Sequence, residues 1–531
     1  MKSYFTLRLI PVYIIVGIFL LHCQSSLAGI IYVNITAAGT HDGTSWTNAF
    51  LDLQTAIDAA VSNDEIWVAE GTYFPTEPHG DITDRDRTFY INKSIKIYGG
   101  FDATAGSEGQ FELRDVKANP TILNGDLGEL SLSDDNAFHV LWLDHVGSEM
   151  VLDGFTVTNG VGSYGAGINN DGSATGSSSP TIANCIFDKN VTTEAGGAIL
   201  NNGSEGEANP IFINCKFTSN TASGGGAVAN LANPGGDASP VFMNCQFKGN
   251  SGPTAGGGAI ENIALSDGSA SPHLVNCLFS GNFSSSGAMH SFANDTGSLT
   301  PVIVNCTFAG NAGGSVTTSA IGGSVATPVI KNSIFWGNSG GGGIFDNGST
   351  TTVTYSLVPF GVFPGEGNLS LNPDFVNVPD FNTAPTLEGD LHLTSGSIAI
   401  NAGDNDSVEP NDTTDLDGLP RIFIPNGGVG VVDMGAYEFQ GGSVGVSNIE
   451  LLEHWDISPN PASDDVTITI EPSTSQGFIR LLDIKGRVLI QGLLESNISS
   501  YNFSVENLTS GVYPVQVVIN GKVSTRQLII E

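Results

Sequence analysis

A chain of 531 residues is too long for one compact core, so an elongated solenoid or several domains is expected. Gly supplies 68 residues without a Gly-X-Y period, which excludes collagen, and hydrophobic residues at 40% suffice for a packed interior. With 18 Lys+Arg against 54 Asp+Glu, the formal charge of −36 argues against nucleic-acid partners and anionic membrane surfaces, while suiting a solvated extracellular protein and permitting Ca²⁺ binding.

The chain opens with Lys2 and Arg8, an apolar run over residues 12–21, and small residues at Ser26 and Ala28. This is the pattern of a signal peptide over residues 1–28, cleaved after Ala28. The apolar run falls short of the roughly 20 residues a spanning helix needs, so no transmembrane segment is expected after its removal. Next, Phe50, Leu53, Ile57 and Ala60 recur at helical spacing and predict an amphipathic capping helix. Strand-like segments EIWVAE (65–70), SIKIYGG (94–100), PTILNG (120–125) and FHVLWL (138–143) follow as the first, irregular coils.

From residue 180 the sequence repeats itself. PTIANCIFDKN (180–190) returns as PIFINCKFTSN (210–220), PVFMNCQFKGN (240–250), PHLVNCLFSGN (272–282), PVIVNCTFAGN (301–311) and PVIKNSIFWGN (328–338). The intervals between Cys185, Cys215, Cys245, Cys277 and Cys306 are 30, 30, 32 and 29 residues, with Ser333 in the next slot. Short β-rich runs between Asn and Gly bends, with no helical period between them, predict stacked coils, because one such coil cannot bury its own interior. The fold expected is all-β: a right-handed parallel β-helix over residues 29–440 with an N-terminal capping helix. Parallel strands about 4.8 Å apart would then stack Phe187, Phe217, Phe247, Phe279, Phe308 and Phe335 into an inward column. The cysteines, two positions earlier, share that face as small buried hydrophobes. Asn184, Asn214 and Asn244 would sit at bends with left-handed backbone, their amides bonding up the ladder. Gly-Gly-Ala-Ile at residues 196–199 and its copies read as a third strand after a tight bend.

DGTSW (42–46), DEIWVAEGTY (64–73), YGGF (98–101), NPTILNGD (119–126) and LDGFTVTNG (152–160) resemble the opening of bacterial surface β-helix proteins of the pectin-lyase-like superfamily. NPDFVN (372–377), SGSIAINAGD (395–404), DLDGLPR (415–421) and VDMGAYEF (432–439) resemble the closing part of the same group, its choice-of-anchor region. The resemblance covers roughly residues 30–440.

A small-residue linker over residues 441–455 leads to alternating apolar and polar segments over residues 456–531, a small antiparallel β-sandwich. This module resembles the type IX secretion C-terminal sorting domain. The matching residues are Pro459, Asn460 and Pro461, Asp483 with Gly486 and Arg487, Leu508, Gly511 and Tyr513, and the basic last strand with Lys522 and Arg526. The resemblance implies the type IX secretion machinery as partner, export across both membranes, and a mature protein anchored at the cell surface or released.

Members of the superfamily often cleave acidic polysaccharides with a basic residue beside Ca²⁺ or with paired carboxylates. This chain has no Arg between Arg114 and Arg421, and no Asp pair recurs on neighbouring coils, so an arginine base cannot lie in the regular coils. One pair stands out. Glu261 follows Gly-Gly-Ala-Ile, and His290 occupies the same slot one coil later, a candidate base and partner where other coils hold Asn169, Leu200 and Ala229. The competing reading is an ion pair on a varied outward column. Asp404, Asp406, Asp415 and Asp417 are candidate Ca²⁺ ligands, against the reading of metal-free Asp-rich turns, and the stretch from His79 to Arg87 reads as a charged, solvated loop. The expectation is a noncatalytic adhesin-like or glycan-binding scaffold with polysaccharide or surface glycans as partners; the alternative is a polysaccharide lyase or glycoside hydrolase acting on acidic polysaccharide. The Phe column points inward, so no glycan site can be named from it.

Overall fold

The structure, a computed structural model, describes residues 28–80, 83–104, 106–128, 132–254, 256–340, 343–359, 363–410, 412–424, 430–441, 455–473, 477–482, 488–519 and 522–531. The expected signal peptide, up to Leu27, and most of the expected linker over residues 441–455 lie outside these residues.

Three long parallel sheets of eleven, nine and nine strands make a β-solenoid. One coil runs through Thr181–Ala183 in the first sheet, Ile186–Asp188 in the second and Ile199–Asn202 in the third. The corner between the first two sheets is a single asparagine. Asn184, Asn214, Asn244, Asn276, Asn305 and Asn332 all have φ between 48° and 55°, a left-handed conformation that Asn tolerates better than most residues. Their amides bond between coils, as from Asn214 Nδ2 to Asn184 Oδ1 at 3.2 Å.

Register keeps like residues over like: Phe187 pairs with Phe217, and Phe217 with Phe247. From Phe187 to Phe335 successive ring centroids lie 4.3–5.1 Å apart with planes within 12°. Each such pair adds about 0.5–1.5 kcal/mol beyond area burial. The five cysteines are free and fully buried beside this column; burial pushes the Cys185 thiol up to about 12. A second stack, Phe212 on Phe242 at 4.8 Å, comes from the first sheet and went unread in the sequence.

The last residue of the repeat builds a further ladder. Asn220 Nδ2 donates to Phe187 O at 2.9 Å and to Asn250 Oδ1 at 3.0 Å, and Asn250 repeats the pattern toward Phe217 O and Asn282. A third ladder joins Asn170, Asn201, Asn230 and Asn262 at 2.7–3.0 Å inside the third sheet and ends on Ser291 Oγ. Buried amides cost several kcal/mol unless paired, and stacked coils pair them by repetition.

The capping helix is shorter than its periodicity implies. It spans Leu53–Ala59, capped by Asp52, whose carboxylate accepts the Thr55 N–H at 2.8 Å. Phe50 lies outside it and bridges to Val33, because Asp52 ends the extended backbone two residues later.

Regular coiling stops at Thr352–Thr354. Further on, the antiparallel hairpin Phe375–Asn377 and Asp390–Leu393 folds back along the coils. Its crossing requires the glycines two residues after Phe279 and Phe308. A Cβ at Gly281 would sit 2.3 Å from Thr386 O, and one at Gly310 2.4 Å from Pro379, while both residues hold φ above 60°. The chain's end is a sandwich of a three-stranded sheet (Trp455–Ser458, Asp465–Ile470, Ser500–Ser504) and a four-stranded sheet (Gly477–Leu482, Val488–Leu494, Gly511–Ile519, Lys522–Ile530), all antiparallel. Its own core holds Val466, Ile468, Leu481, Val515, Val517 and Leu528.

Candidate functional site

In the third sheet alternate side chains point out of the solenoid. Ile260 and Met289 face inward, so Glu261 and His290, which pair in register, face outward. The spacing argument thus placed these two residues correctly. His290 Nδ1 lies 2.9 Å from Glu261 Oε1, and Glu261 Oε2 accepts the Gly257 N–H at 2.6 Å. Glu261 is only 5% exposed. The backbone is cut to admit it: a Cβ at Gly256, whose φ is +117°, would lie 2.1 Å from Oε2. A carboxylate held this way fixes the imidazole through Nδ1 and leaves Nε2 as the nitrogen it does not engage. Thr317 is the next residue in that column, and Ile263 and Phe292 flank the pair in the neighbouring outward column.

The same outward column begins, toward the N-terminus, with aromatic rings. Tyr90 pairs in register with Trp142. His79 stacks on Tyr90 with centroids 3.8 Å apart and planes at 15°, and meets Trp142 edge-on at 5.1 Å. His139 meets the same indole edge-on at 5.2 Å. His79, His139 and Trp142 line a cleft of about 240 Å³ together with Arg85, Asp86, Thr88, Phe138, Ser163 and Tyr164, while Tyr90 supports it through His79. Tyr164 is 43% exposed at its rim. Arg85 is fixed: Nε donates to Asn136 O at 2.7 Å, Nη2 donates to Val161 O at 2.5 Å, and its guanidinium covers the Phe138 ring at 4.2 Å. Burial lowers the affinity of His139 for a second proton, and its Nδ1 lies 3.0 Å from Gly165 O. A carbonyl can only accept, so Nδ1 carries the hydrogen and Nε2 is an acceptor. Tyr90 donates to Asp144, and burial together with that carboxylate pushes the phenol up to about 12.

The stretch that reads in sequence as a solvated loop therefore supplies His79 and Arg85 to an aromatic cleft. The signal that could have found part of it is the alternation in LWLD (141–144), which sends Trp142 to the face opposite Leu141 and Leu143. What joins Trp142 to His79 and Tyr164 is coil stacking, which no local pattern reports.

The aspartates named as Ca²⁺ candidates do not converge. Asp404 accepts from Asp406 N and Ser407 Oγ, and Asp415 accepts from Asp417 N, Leu419 N and Glu438 N, so both carboxylates cap turns. Asp417 meets His392 Nε2 at 2.7 Å, and Asp406 is exposed. Among the described residues, no group of three His, Cys, Asp or Glu side chains is placed to hold a metal ion. Nearby, Arg421 is buried against the coils after all: Nη1 donates to Asn276 Oδ1 at 3.0 Å, and Nη2 pairs with Glu438 at 3.1 Å. The closing segment thus delivers a buried arginine to the coils, and its partners show a clasp rather than a free base.

In the terminal sandwich Asn460 Nδ2 donates to Gln527 O at 2.8 Å and its Oδ1 accepts the Ile529 N–H at 2.9 Å, tying the Pro459–Asn460–Pro461 turn to the last strand. Gly511 opens the long strand that carries Tyr513, whose hydroxyl donates to Thr509 O at 2.7 Å. Arg526 pairs with Asp456 at 3.2 Å. Asp483, Gly486 and Arg487 lie outside the described residues.

Residues 456–531 match the family of the secretion system C-terminal sorting domain. The chain therefore ends in a type IX sorting domain, which marks a β-helix protein exported across the outer membrane. Among curated proteins none matches the chain. Among solved structures the chain is similar to pectate lyase Pel9A, at 16% identity and a TM-score of 0.40, over 78% of this chain and 97% of that one. Among the described residues no helix is long and apolar enough to cross a membrane.

Proposed function

We propose that this is an exported glycan-binding scaffold whose binding site is the aromatic cleft at the N-terminal end of the third sheet. The observation that carries the reading is the cluster of Trp142, His79 and Tyr164 in one outward cleft, with Tyr90 stacked on His79. A pyranose ring offers an apolar C–H face and a rim of hydroxyls. Flat aromatic rings bury the first, while a fixed guanidinium and the His139 Nε2 acceptor match the second. The cleft is smaller than the 300–1,000 Å³ usual for drug-sized ligands, which suits one or two sugar rings rather than a deep substrate channel.

The test is a glycan array probed with the mature chain, followed by calorimetry on the best ligand. Saturable binding that Trp142→Ala and Tyr164→Ala each weaken about tenfold or more, with folding unchanged, supports the reading. Absence of binding, or binding indifferent to both substitutions, overturns it.

A further inference from the structure

We infer that Glu261 and His290 form a hydrolytic site for acyl esters borne by a glycan lying along the outward face. The glycan half of this statement rests on the proposed function, while the imidazole half rests on the pair's own geometry. Glu261 is 95% buried in a fold that is otherwise variable at this position, and both its oxygens are committed, one to Gly257 N–H and one to His290 Nδ1. A buried, doubly tethered carboxylate that orients an imidazole with its second nitrogen outward is the arrangement of a base and its positioning group. A surface ion pair needs neither the burial nor the notch left by Gly256.

The chemistry open to such a pair is narrow. Glycosidic cleavage needs an acid and a base or nucleophile on opposite sides of the bond, and one pair on one face supplies only one of them. Abstraction of a proton next to a sugar carboxylate needs a cation to hold the resulting charge, and neither residue of the pair has an Arg or Lys hydrogen-bonded to it among the described residues. An acyl ester already carries an electrophilic carbon, and an imidazole suffices to activate water against it. Nε2 takes a proton from water as the water oxygen bonds to the acyl carbon and the carbonyl π pair moves to its oxygen. That pair returns as the bond to the sugar oxygen breaks, and the departing alkoxide takes the proton from the imidazolium. The products are a carboxylic acid and a free sugar hydroxyl. Ile263 and Phe292, beside the pair in the next outward column, offer an apolar bed for a short acyl group. Trp142 lies four coils from Glu261 in the same column, about 19 Å along the axis.

The experiment uses the mature full chain with two probes: p-nitrophenyl acetate, which needs no glycan binding, and O-acetylated polysaccharide, with released acetate measured. Expected are turnover of both probes and an acid limb in the pH–rate profile. His290→Gln should lower the rate at least a hundredfold, and Glu261→Gln should lower kcat with KM unchanged. His392→Gln, on the closing hairpin, should leave the rate unaltered and so excludes nonspecific imidazole catalysis. Hydrolysis of p-nitrophenyl acetate without release from the polysaccharide keeps the site and overturns its glycan substrate. Wild-type inactivity, equal activity in His290→Gln, or unsaturated sugar products in place of acetate overturns the assignment. Should His290→Gln fail to fold, Glu261→Gln with its kcat-only effect decides alone.

Discussion

The inner and outer faces of the solenoid obey different rules. Along the inward side the residues are the same coil after coil: Phe over Phe, Cys over Cys, Asn over Asn. Along the outward side of the third sheet the order is Tyr90, Trp142, Asn169, Leu200, Ala229, Glu261, His290, Thr317 and Phe345, with no residue repeated. Inside, each coil meets the same packing demand from the coil above and below, so one solution repeats. Outside, no single packing solution is imposed from coil to coil, whether a side chain is half-buried, as Asn169 and His290 are, or covered, as Leu200, Ala229 and Glu261 are, and single positions are free to acquire chemistry. The motif that defines the fold is therefore silent about function, and the unrepeated column carries both candidate sites.

Substitutions on the two faces should separate cleanly. The largest effect is expected from Phe247→Ala, which removes a fully buried ring stacked at 4.6 Å on both sides; a loss of about 3–5 kcal/mol should appear in urea unfolding. If the β-helix unfolds in segments, the loss should concentrate in the transition reporting the middle coils.

A pH effect of up to about 3 kcal/mol is expected from Asp412. It is buried with neither carboxylate oxygen paired, and desolvation pushes it up from 3.8 to about 6. The folded state thus holds its proton more tightly than the unfolded chain. The associated stability is complete below about pH 4 and is lost as pH rises through 6. Melting temperatures measured from pH 4 to 7.5 should fall over that window, and Asp412→Asn should flatten the fall. An unchanged slope in the variant would assign the effect to other groups.

Asn250→Ala should cost about 1–3 kcal/mol, because it orphans Phe217 O and breaks the ladder toward both Asn220 and Asn282. The outward counterpart is Trp142→Ala. It should change stability by less than about 1 kcal/mol yet weaken glycan binding about tenfold, read by calorimetry. A Trp142 variant that destabilised like Phe247→Ala would erase the distinction between the two faces.

Much of the fold was legible because repetition reports packing directly. Six copies of one pattern fix the coil length, the inward Phe and Cys, and the left-handed Asn corner, and the alternation at Glu261 and His290 was enough to pair them. The terminal sorting domain was legible for another reason: its turn and strand motifs recur in order at the end of the chain. The aromatic cleft was not legible, since His79, Tyr90, Trp142 and Tyr164 come from separate coils and an irregular loop. The clasp of Arg421 on Asn276, 145 residues apart, was equally hidden.

The sequence by itself determined the solenoid, its period, its interior columns and the module that follows it, because each depends on neighbours at a constant offset of about one coil. Only the tertiary structure decided which unrepeated residues meet. Where the helix begins and the closing segment folds back, the offsets vary from residue to residue. There the contacts of His79 with Trp142 and of Arg421 with Glu438 follow from the path of the chain in space.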